Sequence, residues 1–378
     1  MQVPINARQE SVLNQHIIRQ LHERPGYFVL AITGGGSQAI ADLLAVPGAS
    51  RTLLEALVPY NADSLASFLG GAPDQSCSAK TARAMAMSAF RRCQQLHQGT
   101  TPCYGVGCTA ALATDRARKG ENRCYVAVQS ADTTLEFHLT FPRTETRPEQ
   151  EQECRDLVIH AMREILGLQR WAETPIHGNF ALRHGTAPLS WQQLFSSTPG
   201  STWANAEPPV VIFPGAFNPL HYGHREMVDI AEGMLQEKVV LEISAFNVDK
   251  PPLDFIDMTE RASGLQDLAY IFTNTPTFEL KSALFPGVHF VVGADTIIRI
   301  ADPKYYDNDD DKRDRALRKL AEREHRFLVF GRRSGDRFTG LDDLTLPPVL
   351  KQLCLGVPES AFRADVASSE LRKQQNQR

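Results

Sequence analysis

Pro214-Gly215-Ala216-Phe217-Asn218-Pro219-Leu220-His221-Tyr222-Gly223-His224-Arg225-Glu226 is the stretch on which the reading of this chain turns. The apolar run Pro209-Val210-Val211-Ile212-Phe213 precedes it and reads as a buried strand, while Arg225 to Leu235 follows and reads as a helix. Two histidines separated by a tyrosine and a glycine therefore stand where a strand turns into a helix. A helix N-terminus presents unpaired N–H groups and a partial positive charge, which suits a phosphate. Two imidazoles at that point add donors able to follow charge as it develops on a phosphate. The arrangement fits a site that holds a nucleoside triphosphate during attack at its α-phosphorus. Histidines at such junctions also cap or pack. What favours the functional reading is that glycine, aromatic, proline and both histidines fall together in a strand–loop–helix setting.

The string resembles the G-x-F-x-P-x-H-x-G-H signature of the HxGH nucleotidylyltransferase superfamily. It departs at Asn218, where most relatives carry Asp; a charge is lost and hydrogen-bonding capacity is kept. Near the C-terminus, Val366-Ala367-Ser368-Ser369-Glu370-Leu371-Arg372-Lys373 resembles the same family's I-S-S-T-x-x-R segment, with Ala367 in the first serine position and Ser369 in place of threonine. Two hydroxyls opening a helix can simply cap it. They can equally hold β- and γ-phosphate oxygens, with Arg372 as counter-charge. Between these signatures, Val239 to Ser244 reads as a second strand, and Asn247 to Pro252 supplies Lys250. Phe290-Val291-Val292-Gly293-Ala294-Asp295 resembles the G-x-D strand end of relatives acting on nicotinate or nicotinamide mononucleotide. Arg326 to Arg333 resembles their late strand ending in arginine. Phosphopantetheine adenylyltransferases share the histidine motif but are normally shorter and lack the Gly-Ala-Asp segment, so the resemblance favours the mononucleotide branch.

The resemblance implies an adenylyltransferase that joins the AMP part of ATP to a pyridine mononucleotide and releases pyrophosphate. It makes His221, His224, Lys250 and Arg372 the catalytic candidates. Gly215, Phe217, Asn218, Gly223, Gly293, Asp295, Ser368 and Ser369 become the nucleotide-binding candidates. Mg²⁺ is expected with the triphosphate, coordinated mainly by water and phosphate, so no protein ligand is assigned. Asp295 can bind a ribose or a metal-bound water, or cap the next helix. Tyr305 and Tyr306 read as exposed loop tyrosines, and Asp307 to Asp311 as the start of a solvated charged insertion. Two rival functions stay open: transfer from CTP or to another phosphorylated acceptor, and a non-catalytic nucleotide-binding role.

Over 378 residues, 42% hydrophobic and 22% charged content fit two globular domains. A formal net charge of −4 leaves no electrostatic footprint for nucleic acid. No signal segment opens the sequence and no apolar run is long enough to span a bilayer, so cytoplasmic placement without a membrane is expected. Seven cysteines, an odd number thinly spread, point to reduced thiols rather than a disulfide framework.

Gly, Pro, Ser, Thr and Trp from His184 to Pro208 mark a connection. The expected organisation is an N-terminal domain over 1–184, a linker over 185–208 and a nucleotidylyltransferase domain over 209–378. Both halves alternate strands with helices, which predicts two α/β domains with mainly parallel pairing. The second is expected to be a Rossmann-like parallel sheet. In the first, Tyr27 to Ile32 reads as a strand leading through Thr33-Gly34-Gly35-Gly36-Ser37 into a helix, a shape that can cradle an anion or simply pack tightly. That loop, together with Val46 to Ser50, Leu57 to Asn61, Ser78 to Ala89 and Tyr104 to Gly107, resembles the CinA C-terminal family, whose active members deamidate nicotinamide mononucleotide. The resemblance covers approximately residues 10–170. Active relatives carry a Glu-Ser pair before the glycines and a Tyr…Lys pair later. Here the first pair is Ile32-Thr33, or Leu30-Ala31 in the alternative register; Tyr60 remains and the lysine position is Leu65. An aliphatic residue cannot take a proton from a nucleophile, so the expectation is an amidase-like fold without amidase activity. Such a fold would serve as a nucleotide-sensing pocket or a platform for homo-oligomers.

Overall fold

Alternation along Tyr27–Thr33 sets the first half of the molecule. Phe28, Leu30 and Ile32 enter one hydrophobic cluster while Val29 and Ala31 enter another, so this strand, β1, is buried on both faces. The computed structural model describes residues 7–115, 120–168, 179–195, 198–205, 207–246, 252–334 and 337–362. The chain divides into two units, Met1–Gln192 with Asp249–Asp257, and Gln193–Val248 with Met258–Arg378. The return of nine residues to the first unit, from between two strands of the second, has no signature in composition.

In chain order the first unit holds α1 (Ala7–Glu23), β1, α2 (Gln38–Ala45), β2 (Leu53–Leu57), α3 (Ala62–Leu69), α4 (Ala79–Leu96), β3 (Cys103–Ala111), β4 (Asn122–Gln129), β5 (Thr133–Phe141), α5 (Arg147–Ile165), β6 (Asn179–Thr186) and α6 (Leu189–Gln192). Its sheet runs β2-β1-β3-β4-β5-β6. Pairing is parallel for β2-β1 and β1-β3, as expected, and antiparallel from β3 onward. Chain length explains one of these antiparallel pairs. Only Ser130 to Asp132 connects β4 to β5, and a connection that short can close only an antiparallel pair. The Ser130 N–H donates to the Thr133 carbonyl at 2.8 Å and its hydroxyl to Asp132 at 2.7 Å, which tightens the turn. One face of the sheet packs Phe28, Val106, Val126 and Phe137 against Leu21, Leu43, Leu157 and Met162. The other packs Val29 and Ala31 against Leu65, Leu69, Met85 and Ala89.

The second unit holds β7 (Val211–Pro214), α7 (Tyr222–Leu235), β8 (Val239–Ser244), α8 (Phe255–Ser263), β9 (Tyr270–Thr273), α9 (Phe278–Leu284), β10 (His289–Gly293), α10 (Ala294–Ala301), α11 (Asp310–Glu322), β11 (Arg326–Phe330), β12 (Arg332–Ser334), β13 (Arg337–Thr339), α12 (Pro348–Gln352) and β14 (Cys354–Val357). The first three residues of α8 are counted with the first unit. The main sheet runs β14-β11-β10-β7-β8-β9, and every pairing in it is parallel. Counted from its own first strand, that order is 3-2-1-4-5-6 read from the β9 edge, the doubly wound arrangement. Ile212, Phe290, Val292, Phe327 and Val329 meet Ile297, Ile300, Leu317, Leu320 and Leu350 on one face.

Part of the segment read as a linker has an ordered role. The Thr202 N–H donates to the Phe272 carbonyl at 2.9 Å, and the Phe272 N–H to the Thr202 hydroxyl at 2.9 Å. Asn274 accepts the Gly200 N–H at 2.7 Å and donates to the carbonyls of Leu194 and Thr198. These bonds lay the segment along β9 as a short antiparallel strap, which satisfies backbone groups that an edge strand would leave open. The acidic run is also built in. Asp309 caps α11 by accepting the Lys312 N–H at 3.0 Å, and Asp310 and Asp311 occupy its first turn, where the helix dipole favours negative charge. Tyr305 and Tyr306 lie half-buried in a 3₁₀ turn rather than exposed in a loop, and the Tyr306 hydroxyl donates to the Ile300 carbonyl at 3.0 Å.

Candidate active site

In the second unit β7 and β10 are neighbours. The chain leaves β7 toward β8 and β9 on one side, then returns to β10 on the other. This is the topological switch point, where loops leaving the carboxyl ends of two adjacent strands diverge and a ligand crevice forms. The loop from Gly215 to His221 leaves β7, and Gly293-Ala294-Asp295 leaves β10. Both loops deliver a helix N-terminus, α7 and α10, to the same end of the sheet.

His221 is the N-cap of α7, with extended φ −137° and ψ 169°. Its backbone N–H donates to His224 Nδ1 at 3.3 Å, and the two rings stack with centroids 3.6 Å apart. Because Nδ1 of His224 accepts this bond, the proton of the neutral ring sits on Nε2 and is available as a donor. Burial, followed by the neighbouring His221, lowers the His224 pKa to about 3; burial also lowers that of His221. Both rings are therefore neutral near pH 7 and can act as N–H donors rather than as imidazolium ions. His221 Nδ1 is buried and has no hydrogen-bond partner among the described residues.

Three features fix this pair. Phe217, buried, sets its ring edge-on to His224 at 5.1 Å and to Phe213 at 5.2 Å. A Cβ on Gly215 would come within 2.5 Å of the Phe217 ring, so only glycine fits beneath it. Arg261 of α8 donates to the Ala216 carbonyl at 2.7 Å, next to Phe217, whose φ of 42° lies in the left-handed region. Asn218 is half-buried and joined to Pro219 by a cis peptide, and Gly223 is buried in the first turn of α7. Arg261 escaped sequence reading because one arginine on a short amphipathic helix looks like any solvated residue.

On the β10 side, Gly293 is the N-cap of α10, and Asp295 stands exposed in its first turn, paired with Arg332 at the start of β12. The G-x-D segment and the arginine after the late strand thus meet. Beside the motif, β8 carries the buried Glu242, bonded to Lys281 at 2.7 Å and to the Thr273 hydroxyl. The Gly215 N–H donates to the Glu242 carbonyl at 2.9 Å, tying the start of the histidine loop to this strand. Lys250, Ser368, Ser369 and Arg372 lie outside the described residues.

The glycine loop of the first unit presents a different picture. Glu151 of α5 fills it: one carboxylate oxygen accepts the Gly36 N–H at 2.8 Å, and the other accepts the Ser37 hydroxyl at 2.8 Å and the Gln38 N–H at 3.2 Å. Gly34 lies at φ +79° and packs where a Cβ would sit 2.0 Å from the Ala110 carbonyl oxygen, so the loop is seated directly on β3. Both readings of the loop therefore hold together: it cradles an anion and packs tightly, and the anion is the chain's own. Thr33 is nearly buried at the end of β1, Tyr60 is exposed, and Leu65 lies in the core with Val29, Ala31 and Met85. Leu65 is thus a packing residue. All seven cysteines are free thiols. Among the described residues no helix is long and apolar enough to cross a membrane.

An all-parallel, doubly wound sheet with paired histidines at its switch-point helix frames the second unit. Residues 212–374 match the family described as Cytidylyltransferase-like, so the C-terminal unit is a nucleotidyltransferase-like domain. The N-terminal half resembles solved structures of the CinA superfamily. The competence/damage-inducible protein CihA from Agrobacterium tumefaciens is 17% identical with a TM-score of 0.34, over 42% of this chain and 93% of that one. A CinA superfamily protein from Enterobacter cloacae is 14% identical with a TM-score of 0.30, over 44% and 94%. The competence damage-inducible protein A from Klebsiella pneumoniae is 14% identical with a TM-score of 0.30, over 42% and 96%. No curated protein matches the chain.

Proposed function

We propose that the C-terminal unit is an adenylyltransferase that joins the AMP part of ATP to nicotinamide or nicotinate mononucleotide and releases pyrophosphate, a step of NAD synthesis in the cytosol. The observation that carries this reading is the stacked His221–His224 pair at the N-terminus of α7, set at the switch point. A phosphate oxygen of the mononucleotide attacks the α-phosphorus; the new P–O bond forms as the bond to the β-phosphate oxygen breaks. No protein nucleophile is needed, so rate comes from alignment and from stabilising charge. His224, through Nε2–H, and the first N–H groups of α7 meet the α-phosphate as its charge grows. His221 stacks on His224 and shares in binding the triphosphate. Lys250 is assigned to the incoming or leaving phosphates, and Ser368, Ser369 and Arg372 to pyrophosphate, on the resemblance of their segments. Mg²⁺ enters with ATP and screens its phosphates.

The test is pyrophosphate release with MgATP and each mononucleotide, with the dinucleotide confirmed by mass. MgCTP is run beside it, because the matched family is described as cytidylyltransferase-like. Dinucleotide from ATP supports the proposal. Turnover with CTP alone, or no turnover with either mononucleotide, overturns it.

A further inference from the structure

Arg261 and Asp267 belong to the second unit, as does the histidine loop, and they hold that loop on either side of its two imidazoles. Arg261, half-buried in the last turn of α8, donates through Nη1 to the Ala216 carbonyl at 2.7 Å. Asp267 accepts both terminal nitrogens of Arg225, the residue after His224, with Nη2 at 3.1 Å. The stretch from Arg261 to β9 is short and anchored. The Gly264 and Leu265 N–H groups donate to the Arg261 and Ala262 carbonyls at 3.1 Å, and Leu265 is fully buried. The Ala269 carbonyl accepts the Leu241 N–H of β8 at 2.9 Å. Residues 261–269 thus form a bracket tied to the sheet at one end and to the histidine loop at two points.

The two ties differ in weight. Arg225 and Asp267 are 45% and 60% exposed, so salt screens their attraction and the pair is weak. The Arg261 bond acts on the backbone itself. The Ala216 carbonyl lies in the same planar peptide as the Phe217 nitrogen, so holding it fixes the plane about which the Phe217 φ of 42° is set. Left-handed backbone is unfavourable for phenylalanine and persists where the surroundings hold it. The ring placed in this way is buried and lies edge-on to His224. We propose that Arg261 is a positioning residue for nucleotidyl transfer: by holding the Ala216–Phe217 peptide it keeps the Phe217 ring against His224, with the Arg225–Asp267 pair as a weaker outer tie. The proposal rests on the catalytic reading above, but the placing of the two rings can be read without turnover.

The variants are Arg261→Met, which keeps the stem and loses every donor, and Arg261→Gln, whose amide ends short of the position of Nη1. Full-length protein carrying labelled histidine and phenylalanine is read by nuclear magnetic resonance for the Overhauser contact between the Phe217 and His224 rings, assigned with Phe217→Leu and His224→Gln. Wild type is expected to show the contact and the folded variants to lose it. Nucleotidyl transfer per folded molecule is expected to fall about tenfold in kcat, with KM for MgATP changed by less than about threefold, because the imidazole acts on charge that develops in the transition state. Asp267→Asn is expected to keep the contact and to lose less than about threefold in kcat. A purely structural role for Arg261 would lower the folded fraction and leave the contact in place in the molecules that fold. A contact absent from wild type, or undiminished in a folded Arg261 variant, overturns the proposal even if the wild-type protein transfers nothing. A lost contact with undiminished kcat in an active enzyme overturns it as well, and so does an equal loss in Asp267→Asn, which would place the positioning at the outer pair. Failure of both Arg261 variants to fold would make the residue a determinant of the fold and overturn its positioning role.

Discussion

The glycine loop after β1 and the histidine loop after β7 are built alike. Each follows the carboxyl end of a parallel strand and opens a helix. In the first, Glu151 reaches over from α5 and takes the Gly36 and Gln38 N–H groups and the Ser37 hydroxyl. In the second, the groups set at the helix start are two imidazoles held neutral by burial. A carboxylate completes the first junction and turns it into a fastening between helices. Neutral donors leave the second junction without such an internal carboxylate among the described residues. The same local architecture is structural in one unit and points to chemistry in the other, and the difference lies in what meets the helix start: a carboxylate from α5 in the first, two imidazoles in the second.

The comparison breaks most decisively at the histidines. His224→Ala is expected to lower kcat for pyrophosphate release by about 10²–10³-fold, the usual effect of removing one placed donor from a developing charge. The far-ultraviolet circular dichroism should be unchanged. Full activity in this variant would reduce the second junction to a packing motif like the first. A middle-sized effect belongs to Glu151→Ala, which strips three hydrogen bonds from a half-exposed carboxylate. Urea denaturation should show a loss of about 1–2 kcal/mol. A neutral result would mean that the glycine loop does not depend on its internal anion.

The smallest and most specific effect is in pH. His224 titrates at about 3 in the folded protein against an ordinary 6.5, so between those values the unfolded chain binds more protons. Its contribution therefore makes stability rise with pH from about 3 to about 6.5 and level off above that range. Urea titrations at pH 4.5, 5.5 and 7 should show a shallower slope for His224→Gln than for wild type. Equal slopes would place the proton elsewhere.

Local pattern made the histidine loop legible, because its glycine, aromatic and histidines lie within ten residues that also turn a strand into a helix. The parallel sheet of the second unit was legible for a related reason: strands buried on both faces read as continuous apolar runs. What escaped depends on residues far apart in sequence. Glu151 lies 115 residues from Gly36 and Asp254 lies 171 from Arg83, with which it is ion-paired, and nothing near any of them announces a partner. The antiparallel half of the first sheet was hidden because a strand pattern does not show which neighbour it pairs with. The strap at β9 looked like a linker because its order comes from Asn274, some seventy residues on.

The excursion of residues 249–257 also bears on how this protein can be dissected. A cut between Gln192 and Gln193 looks clean in sequence, yet it would separate residues 249–257 from the unit to which they belong. The C-terminal fragment would carry Phe255, Ile256 and two aspartates into solvent. The N-terminal fragment would keep Arg83, which pairs with both aspartates and with Glu136, in a socket whose plug had been removed. Anyone wishing to study either half alone must therefore graft the nine residues rather than simply divide the chain, because residues 249–257 belong to the first unit although they lie between stretches of the second.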